Sequence, residues 1–315
     1  MTLSIDVVIP THNGWELTRS CLEHLGRQTR SHTVIVADNA STDGTGARLR
    51  TAFPEARLVE LGANRGFSTA CNRGAKAGRS DVVVLLNNDV DCPSDFLELL
   101  VAPLEADGRI GSATAVLVHP NGTTIDSVGL TADRTLAGFP RLRGHMLRDA
   151  HSSQPVLTGP AGAAGAYRRT AWEQVSGLDE GVFMYGEDIE LALRLRAAGW
   201  ATALAADAVA VHLGSASVGR RSGLQRYHSG FARGYFLRRY GVVRGKAGAR
   251  TVATEAIVVM GDAVLSRDLS ALHGRAAGWR AAAGLPRCPS PPRDAIDREI
   301  GFRESLRLRR RVYAG

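Results

Sequence analysis

The chain has 315 residues, 44% hydrophobic, 22% charged and 6% aromatic, proportions that support a sizeable buried core and exclude a disordered or fibrous protein. At about 100 to 200 residues per domain, the length holds one large or two modest domains. The net charge of +8 is unevenly spread: residues 213–315 carry 20 Lys and Arg against 7 Asp and Glu, whereas residues 1–212 carry 19 against 24.

The basic second part suits an anionic partner such as a membrane surface, a phospholipid-linked acceptor or nucleic acid, or is a solvated helical surface in an arginine-rich chain. No run of 18 apolar residues occurs, because Val82 to Leu86 is bounded by Asp81 and Asn87, and Ala256 to Leu265 is broken by Gly261 and Asp262. No transmembrane helix is expected. Met1 runs straight into Ile5-Asp6-Val7-Val8-Ile9, too short and too acidic for the apolar region of a signal peptide, so a cytoplasmic location is expected. Cys21, Cys71, Cys92 and Cys288 are widely separated, with no C-x-x-C, and read as reduced thiols.

In chain order, short β-branched runs alternate with amphipathic segments over residues 1–118. Val7 to Pro10 precedes Trp15 to Gln28, Val34 to Ala37 precedes Thr45 to Phe53, Leu58 to Leu61 precedes Phe67 to Ala77, and Val82 to Leu86 precedes Pro93 to Leu104. This alternation predicts βαβ units and an α/β fold with a mainly parallel sheet covered on both faces. Ligands of such sheets bind outside the carboxyl ends of the strands. Polar clusters stand at those ends: Thr11-His12-Asn13, then Asp38 to Gly44, then Asn64-Arg65-Gly66, then Asn87-Asn88-Asp89. Residues 119–160, punctuated by Gly122, Gly129, Gly138 and Pro140, predict an irregular stretch with a hairpin. A strand to Tyr167 and a helix through Trp172 come next, and Glu187-Asp188 opens a helix that ends at Gly199. A last strand stops at His212. Beyond Gly223 the pattern is helical to about Tyr240 and again from Thr251 to Leu265. Pro286 to Pro292 reads as a loose segment before a charged helix.

The segment after the first strand excludes several chemistries. Pro10-Thr11-His12-Asn13-Gly14 contains no G-x-G-x-x-G, and the chain has neither a P-loop nor a G-x-S-x-G elbow. There remains a set of carboxylates and amides at strand ends. Asp89, at the end of an apolar strand, suits a divalent cation held through one or two carboxylates and substrate phosphates. Two carboxylates at one helix start, Glu187 and Asp188, repel, so one finds another partner or takes up a proton, and an aspartate there can act as a general base. His212, alone after a strand, is more often structural, but an imidazole beside carboxylates also suits Mn²⁺.

Together these segments resemble the inverting family-two glycosyltransferases of the GT-A fold, in particular their rhamnosyltransferase-like branch. The resemblance covers about residues 4–240. It rests on Val8 to Asn13, Asp38 to Thr45, Asn64 to Phe67 with Asn72 to Gly74, Leu85 to Asp89, and Gly177 to Glu180 through Phe183 to Asp188, ending at His212. It implies a catalytic unit over 1–222, with donor-binding residues 1–118 and acceptor and catalytic residues 119–222, and then a helical basic extension over 223–315. It also implies a nucleoside-diphosphate-sugar donor, Mg²⁺ or Mn²⁺, and an acceptor hydroxyl on a glycan, lipid-linked or small-molecule partner, with peripheral membrane contact through the basic extension and no nucleic acid. Thr11, Asn13, Asp38, Asn64, Gly66, Asn72 and Asn88 would lie along the donor, and Asp38 would read the base. Asp89 and His212 would hold the metal, Asp188 would be the catalytic base, and Tyr185, Glu187 and Trp172 would face the acceptor. The chain departs from the family in one place: Asn87-Asn88-Asp89 replaces an acidic D-x-D and leaves one carboxylate. The rivals are a non-catalytic binding protein for a nucleotide sugar or anionic polymer and a sugar nucleotidyltransferase. Donor turnover separates the first, and the missing Gly-rich segment with Arg and Lys near the first strand argues against the second.

Overall fold

A computed structural model describes residues 2–214 and 222–314. Its first part alternates β1 (Ile5–Thr11), α1 (Trp15–Leu25), β2 (Thr33–Asp38), α2 (Thr45–Ala52), β3 (Arg57–Glu60), α3 (Phe67–Ala77) and β4 (Val82–Leu86). Then come β5 (Val90–Asp91), α4 (Phe96–Ala106), β6 (Ile110–Val118), β7 (Ile125–Ser127), β8 (Leu130–Ala132), β9 (Gly138–Pro140), β10 (Ala164–Arg168), α5 (Arg169–Gln174), α6 (Glu187–Ala197) and β11 (Ala201–His212). Helices α7 (Gly223–Arg239), α8 (Gly245–Ser266), α9 (Ser270–Ala281) and α10 (Phe302–Ala314) complete the chain.

Nine strands form one sheet in the order β3-β2-β1-β4-β10-β6-β11-β5, with β7 paired to β6. The first four strands are parallel, and β10 runs antiparallel between β4 and β6. Their sequences explain their places. β4, Val-Val-Val-Leu-Leu, is buried at every position and lies inside the sheet, whereas β3, with Arg57 and Glu60 exposed, is an edge strand. Because strand side chains alternate faces, Val7, Ile9, Val36 and Val84 join one core with Leu22, Leu25 and Phe96, and Val8, Ile35, Val83 and Leu85 join another with Cys71, Trp172 and Leu191.

The stretch at 119–160 contains the expected hairpin, β8–β9, but it is tied down: the Asp297 N–H donates to the Ala132 carbonyl at 2.8 Å, and Thr158 Oγ1 donates to the Ala295 carbonyl at 2.7 Å. The segment around Pro286 is not loose either, since the Cys288 N–H donates to the Arg239 carbonyl at 2.9 Å.

Helix α9 had no clear sequence pattern, and its partner α7 shows why. A Cβ added at Gly230 or Gly234 would come within 2.4 or 2.0 Å of α9 backbone, and one at Gly274 or Gly278 within 2.1 or 1.9 Å of α7 backbone. Glycines that cost helix propensity are here the condition for two helices to touch. The expected basic extension is also partly internal. Glu255 accepts hydrogen bonds from Arg233 (2.8 Å), Arg275 (3.0 Å) and Arg309 (2.7 Å), all buried, because burial of so many cations requires a shared carboxylate.

Candidate active site

The strand-end clusters meet because β1 and β2 pair in register, with Thr11 opposite Asp38. Asn13 and Gly14 come next in left-handed conformation, one that asparagine and glycine tolerate. The two loops are then joined: the Asn13 N–H donates to Ser41 Oγ (2.8 Å), the Thr42 N–H to Asn13 Oδ1 (2.8 Å) and the Gly14 N–H to Asp43 Oδ2 (2.9 Å). Asn88 Nδ2 binds the Thr18 hydroxyl at 3.0 Å, and Thr18 lies 3.0 Å from the Thr11 hydroxyl, which ties the end of β4 to that of β1. Asp38 is buried; its Oδ1 accepts from the Ser41 N–H at 2.9 Å, while Oδ2 has no hydrogen-bond partner among the described residues.

Asn39 organises the third cluster and was not singled out as a site residue. Its amide donates to Asn64 Oδ1 (2.9 Å) and the Gly66 carbonyl (3.1 Å) and accepts from the Arg65 N–H (2.8 Å). Gly66, at φ +87°, packs so closely on the Phe183 carbonyl that a Cβ there would lie 2.4 Å away. Asn72 turns toward the loop before α6. Both ends of its amide bind the main chain of Leu178 at 2.9 Å, and Nδ2 also reaches Glu180 at 3.0 Å, so it clamps the loop before α6.

Asp89 and His212 are brought together by β5, which pairs with the end of β11 and sets Val90 opposite His212. His212 Nε2 stands 3.4 Å from Asp89 Oδ1, a buried oxygen whose one charged contact among the described residues is this ring. The other ring nitrogen, Nδ1, bonds Asp126 Oδ2 at 2.8 Å. Asp126 in turn pairs with Arg143 at 2.8 Å. Burial alone would lower the His212 pKa, but hydrogen bonds and charge from Asp126 and Asp89 outweigh it and push it up to about 9. A ring held positive between two carboxylates marks a spot that favours positive charge. Asp126 was missed because it lies in the glycine-punctuated stretch, where no local pattern marks β7.

The third group centres on the start of α6. Gly162, two residues before β10, donates its N–H to Asp188 Oδ2 at 3.1 Å, and Asp188 Oδ1 accepts the Ile189 N–H at 2.7 Å. Ala163 accepts the Asn87 N–H at 2.9 Å, so the Asp188 carboxylate is two links from the end of β4. Burial raises the pKa of both acids, and the Asp188 charge raises that of Glu187 further, to about 8. Glu187 Oε2 is buried without a partner, whereas the backbone N–H groups favour charge on Asp188. Backbone donors oppose the rise at Asp188 more than at Glu187, and the Asp188 charge adds to the rise at Glu187 alone. Tyr185, at φ +69°, is a strained residue beside them. Trp172, expected on the acceptor side, belongs to the core: it is 5% exposed and packs edge-on against Tyr167 at 5.4 Å. Helix α7 fixes the preceding loop, with Tyr235 and Arg239 on Asp179 at 3.1 and 3.0 Å and His228 stacked on Phe183 at 4.9 Å.

A cleft of about 770 Å³ lies away from the strand ends, lined by residues of 142–155 and 297–304. It too is lined by charged groups, among them Asp149, Asp297 and Glu299, but none of the strand-end residues borders it. Among the described residues no set of three or more His, Cys, Asp or Glu could hold a metal ion.

Solved proteins share this fold. The solved mannosyltransferase PcManGT of Pyrobaculum calidifontis, in complex with GDP-Man and Mn²⁺, superposes with a TM-score of 0.57 at 20% identity, covering 90% of this chain and 86% of that one. GalNAc-T7, solved with UDP, GalNAc and Mn²⁺, gives a TM-score of 0.59 at 14% identity over 81% of this chain and 50% of that one. These likenesses show the GT-A fold. An N-acetylglucosaminyl-diphospho-decaprenol L-rhamnosyltransferase of Mycobacterium tuberculosis is 30% identical over 243 residues, 70% of this chain and 79% of that protein. The O-antigen biosynthesis protein RfbC of Myxococcus xanthus is 28% identical over 69% of this chain and 18% of its own length. The profile of Glycosyl transferase family 2 matches residues 6–176, more than half of the chain and the whole run of strand ends from Thr11 to Asp89, and the chain accordingly belongs to that family of glycosyltransferases.

Proposed function

We propose that the chain transfers a rhamnose-like sugar from a dTDP- or UDP-linked donor to a hydroxyl of a lipid-linked glycan, with inversion at the anomeric carbon, in building a cell envelope. The observation that carries this reading is the buried Asp89 Oδ1 at the strand ends, whose one charged contact among the described residues is His212 Nε2 at 3.4 Å, tied through Asn87 and Ala163 to the loop that holds Asp188. The Mycobacterium tuberculosis relative, named for a rhamnosyl transfer to a decaprenol-linked acceptor, supports the substrate classes.

A divalent cation fits this pair. Asp89 supplies a hard oxygen, and Asp126 on Nδ1 orients the ring so that Nε2 of a neutral His212 keeps its lone pair for the ion. Asp89 and His212 would hold Mg²⁺ or Mn²⁺, and the diphosphate and water would complete the shell. When bound, the ion supplies Lewis-acid stabilisation to the departing diphosphate. Asp188 takes the proton from the acceptor hydroxyl as the oxygen attacks, while Glu187 holds its own proton and leaves that role to its neighbour. Displacement in one step sets base and leaving group on opposite faces of the sugar.

Asp38 Oδ2 is free to accept a ring N–H from the base, as uracil, thymine and guanine offer and cytosine does not. Calorimetric titration with UDP, dTDP, GDP and CDP in the presence of Mn²⁺ tests the reading. CDP should bind at least about tenfold more weakly than UDP, the equivalent of about 1.4 kcal/mol. Equal affinity for CDP and UDP, or transfer indifferent to a strong chelator, would remove the nucleotide or the metal assignment respectively.

A further inference from the structure

Helix α8 presents a surface that the donor site does not use. Its carboxylates Glu255 and Asp262 and its Arg250 lie on the side turned into the protein, buried or part-buried. The opposite side carries Val252, Ala256, Ile257, Met260 and Val264, all exposed and spaced three or four residues apart, with no charge among them. Leu265, Leu269 and Leu272 extend it over the turn into α9, and Val264 and Leu265 are 76% and 77% exposed. A stripe of this period normally faces a core. Among the described residues nothing covers it.

The rim of the stripe is basic. Arg244 stands at the N-terminal end of α8 and Arg267 at its C-terminal end, and α10, packed beside α8, adds Arg303 and Arg310. All four are exposed and none has an acidic partner among the described residues, unlike the arginines buried around Glu255.

We propose that this face docks on an anionic lipid surface, with α8 lying flat in the headgroup layer. Among the described residues no helix is long and apolar enough to cross a membrane, and acids confined to the inner side of α8 suit a helix that lies on a bilayer. Charge decides between occupants. Two copies joined through this face would bring two basic rims together, a repulsive arrangement. An anionic headgroup layer meets the apolar stripe and the four cations at once.

Such docking serves the lipid-linked acceptor proposed above and rests on that reading for its purpose alone. Vesicle binding is measured without donor or acceptor, so the two readings fail separately. The full chain should sediment with phosphatidylglycerol-containing vesicles but weakly with pure phosphatidylcholine, and the binding should fall steeply as salt rises past the point where the Debye length is about 8 Å. The double variant Met260→Glu, Val264→Glu changes only exposed positions. It should keep the wild-type melting midpoint and lose at least about tenfold in vesicle affinity. Equal binding to both vesicle types, undiminished binding by the double variant, or no binding by the wild type at low salt overturns the proposal. A wild-type dimer that the double variant turns into a monomer, with no vesicle binding by either, overturns it in favour of a second copy.

Discussion

The fold treats its two buried carboxylate clusters in opposite ways. Around Glu255 the charges are matched: three arginines supply donors to both oxygens, and nearby Asp133 is filled by Thr135, Ala137 and Ser305. At the strand ends and the start of α6, Glu187 Oε2 is buried with no hydrogen-bond partner, and Asp89 Oδ1 has only the long 3.4 Å contact with His212 Nε2. An unsatisfied buried acceptor costs about 1 to 3 kcal/mol, so it persists where something outside the chain completes it. Burial of charge does not by itself mark a site in this protein. Incomplete pairing at the meeting of several strand ends does, and the two clusters should answer mutation differently.

The largest expected effect lies in the open cluster. Asp188→Asn keeps the shape but cannot take a proton, so transfer should fall by about 10² to 10⁴ while donor affinity changes little. A variant retaining more than about a tenth of the wild-type rate would assign the base elsewhere. In the matched cluster the effect should fall on stability instead. Glu255→Gln removes the charge that three buried arginines share and should destabilise the fold by about 3 to 5 kcal/mol in urea unfolding. The three arginines outweigh burial and hold the Glu255 carboxyl well below its usual range, so its contribution is present at neutral pH and is lost as the pH falls through the acid region. Loss of activity at unchanged stability in this variant would erase the contrast.

Asp126→Asn sharpens the comparison from the open side. The amide no longer fixes the imidazole tautomer, and Mn²⁺-dependent binding of UDP should weaken by about 10- to 100-fold, with metal-independent binding unchanged. An equal loss with and without Mn²⁺ would make Asp126 merely structural. The effect that is smallest at any one step, about 1.4 kcal/mol per pH unit at most, concerns pH. The Glu187 pKa is raised from 4.5 to about 8, so the folded chain keeps a proton that the unfolded chain releases, and stability should decline as pH rises through that window. Glu187→Gln should lack this decline and gain on the wild type by up to about 1.4 kcal/mol per pH unit. Parallel melting curves for the two proteins across the window would show that Glu187 ionises freely.

The strand ends were legible because each is announced by its own neighbours: a β-branched run stops, and Thr11, Asp38, Asn64 or Asn87 begins a polar cluster. Glu187 and Asp188 were legible as a helix start for the same local reason. Asp126 was not, since its value comes from a hydrogen bond to His212 across 86 positions of chain, made when β7 and β11 both join β6. Trp172 and Asn72 also hold places that the sequence alone does not show. An aromatic ring or an amide near a site looks available in sequence, yet one is packed in the core and the other is consumed by the 178–180 loop.

By itself the sequence determined the order of βα units, the class of fold and the polar character of the strand ends, because the spacing of apolar residues is set by the local geometry of strand and helix. Only the tertiary structure decided which of those polar groups stay unpaired, which arginines are internal, and that Gly274 and Gly278 belong to a helix. Those outcomes depend on sheet register and on the close approach of segments far apart in the chain, and no local periodicity encodes either.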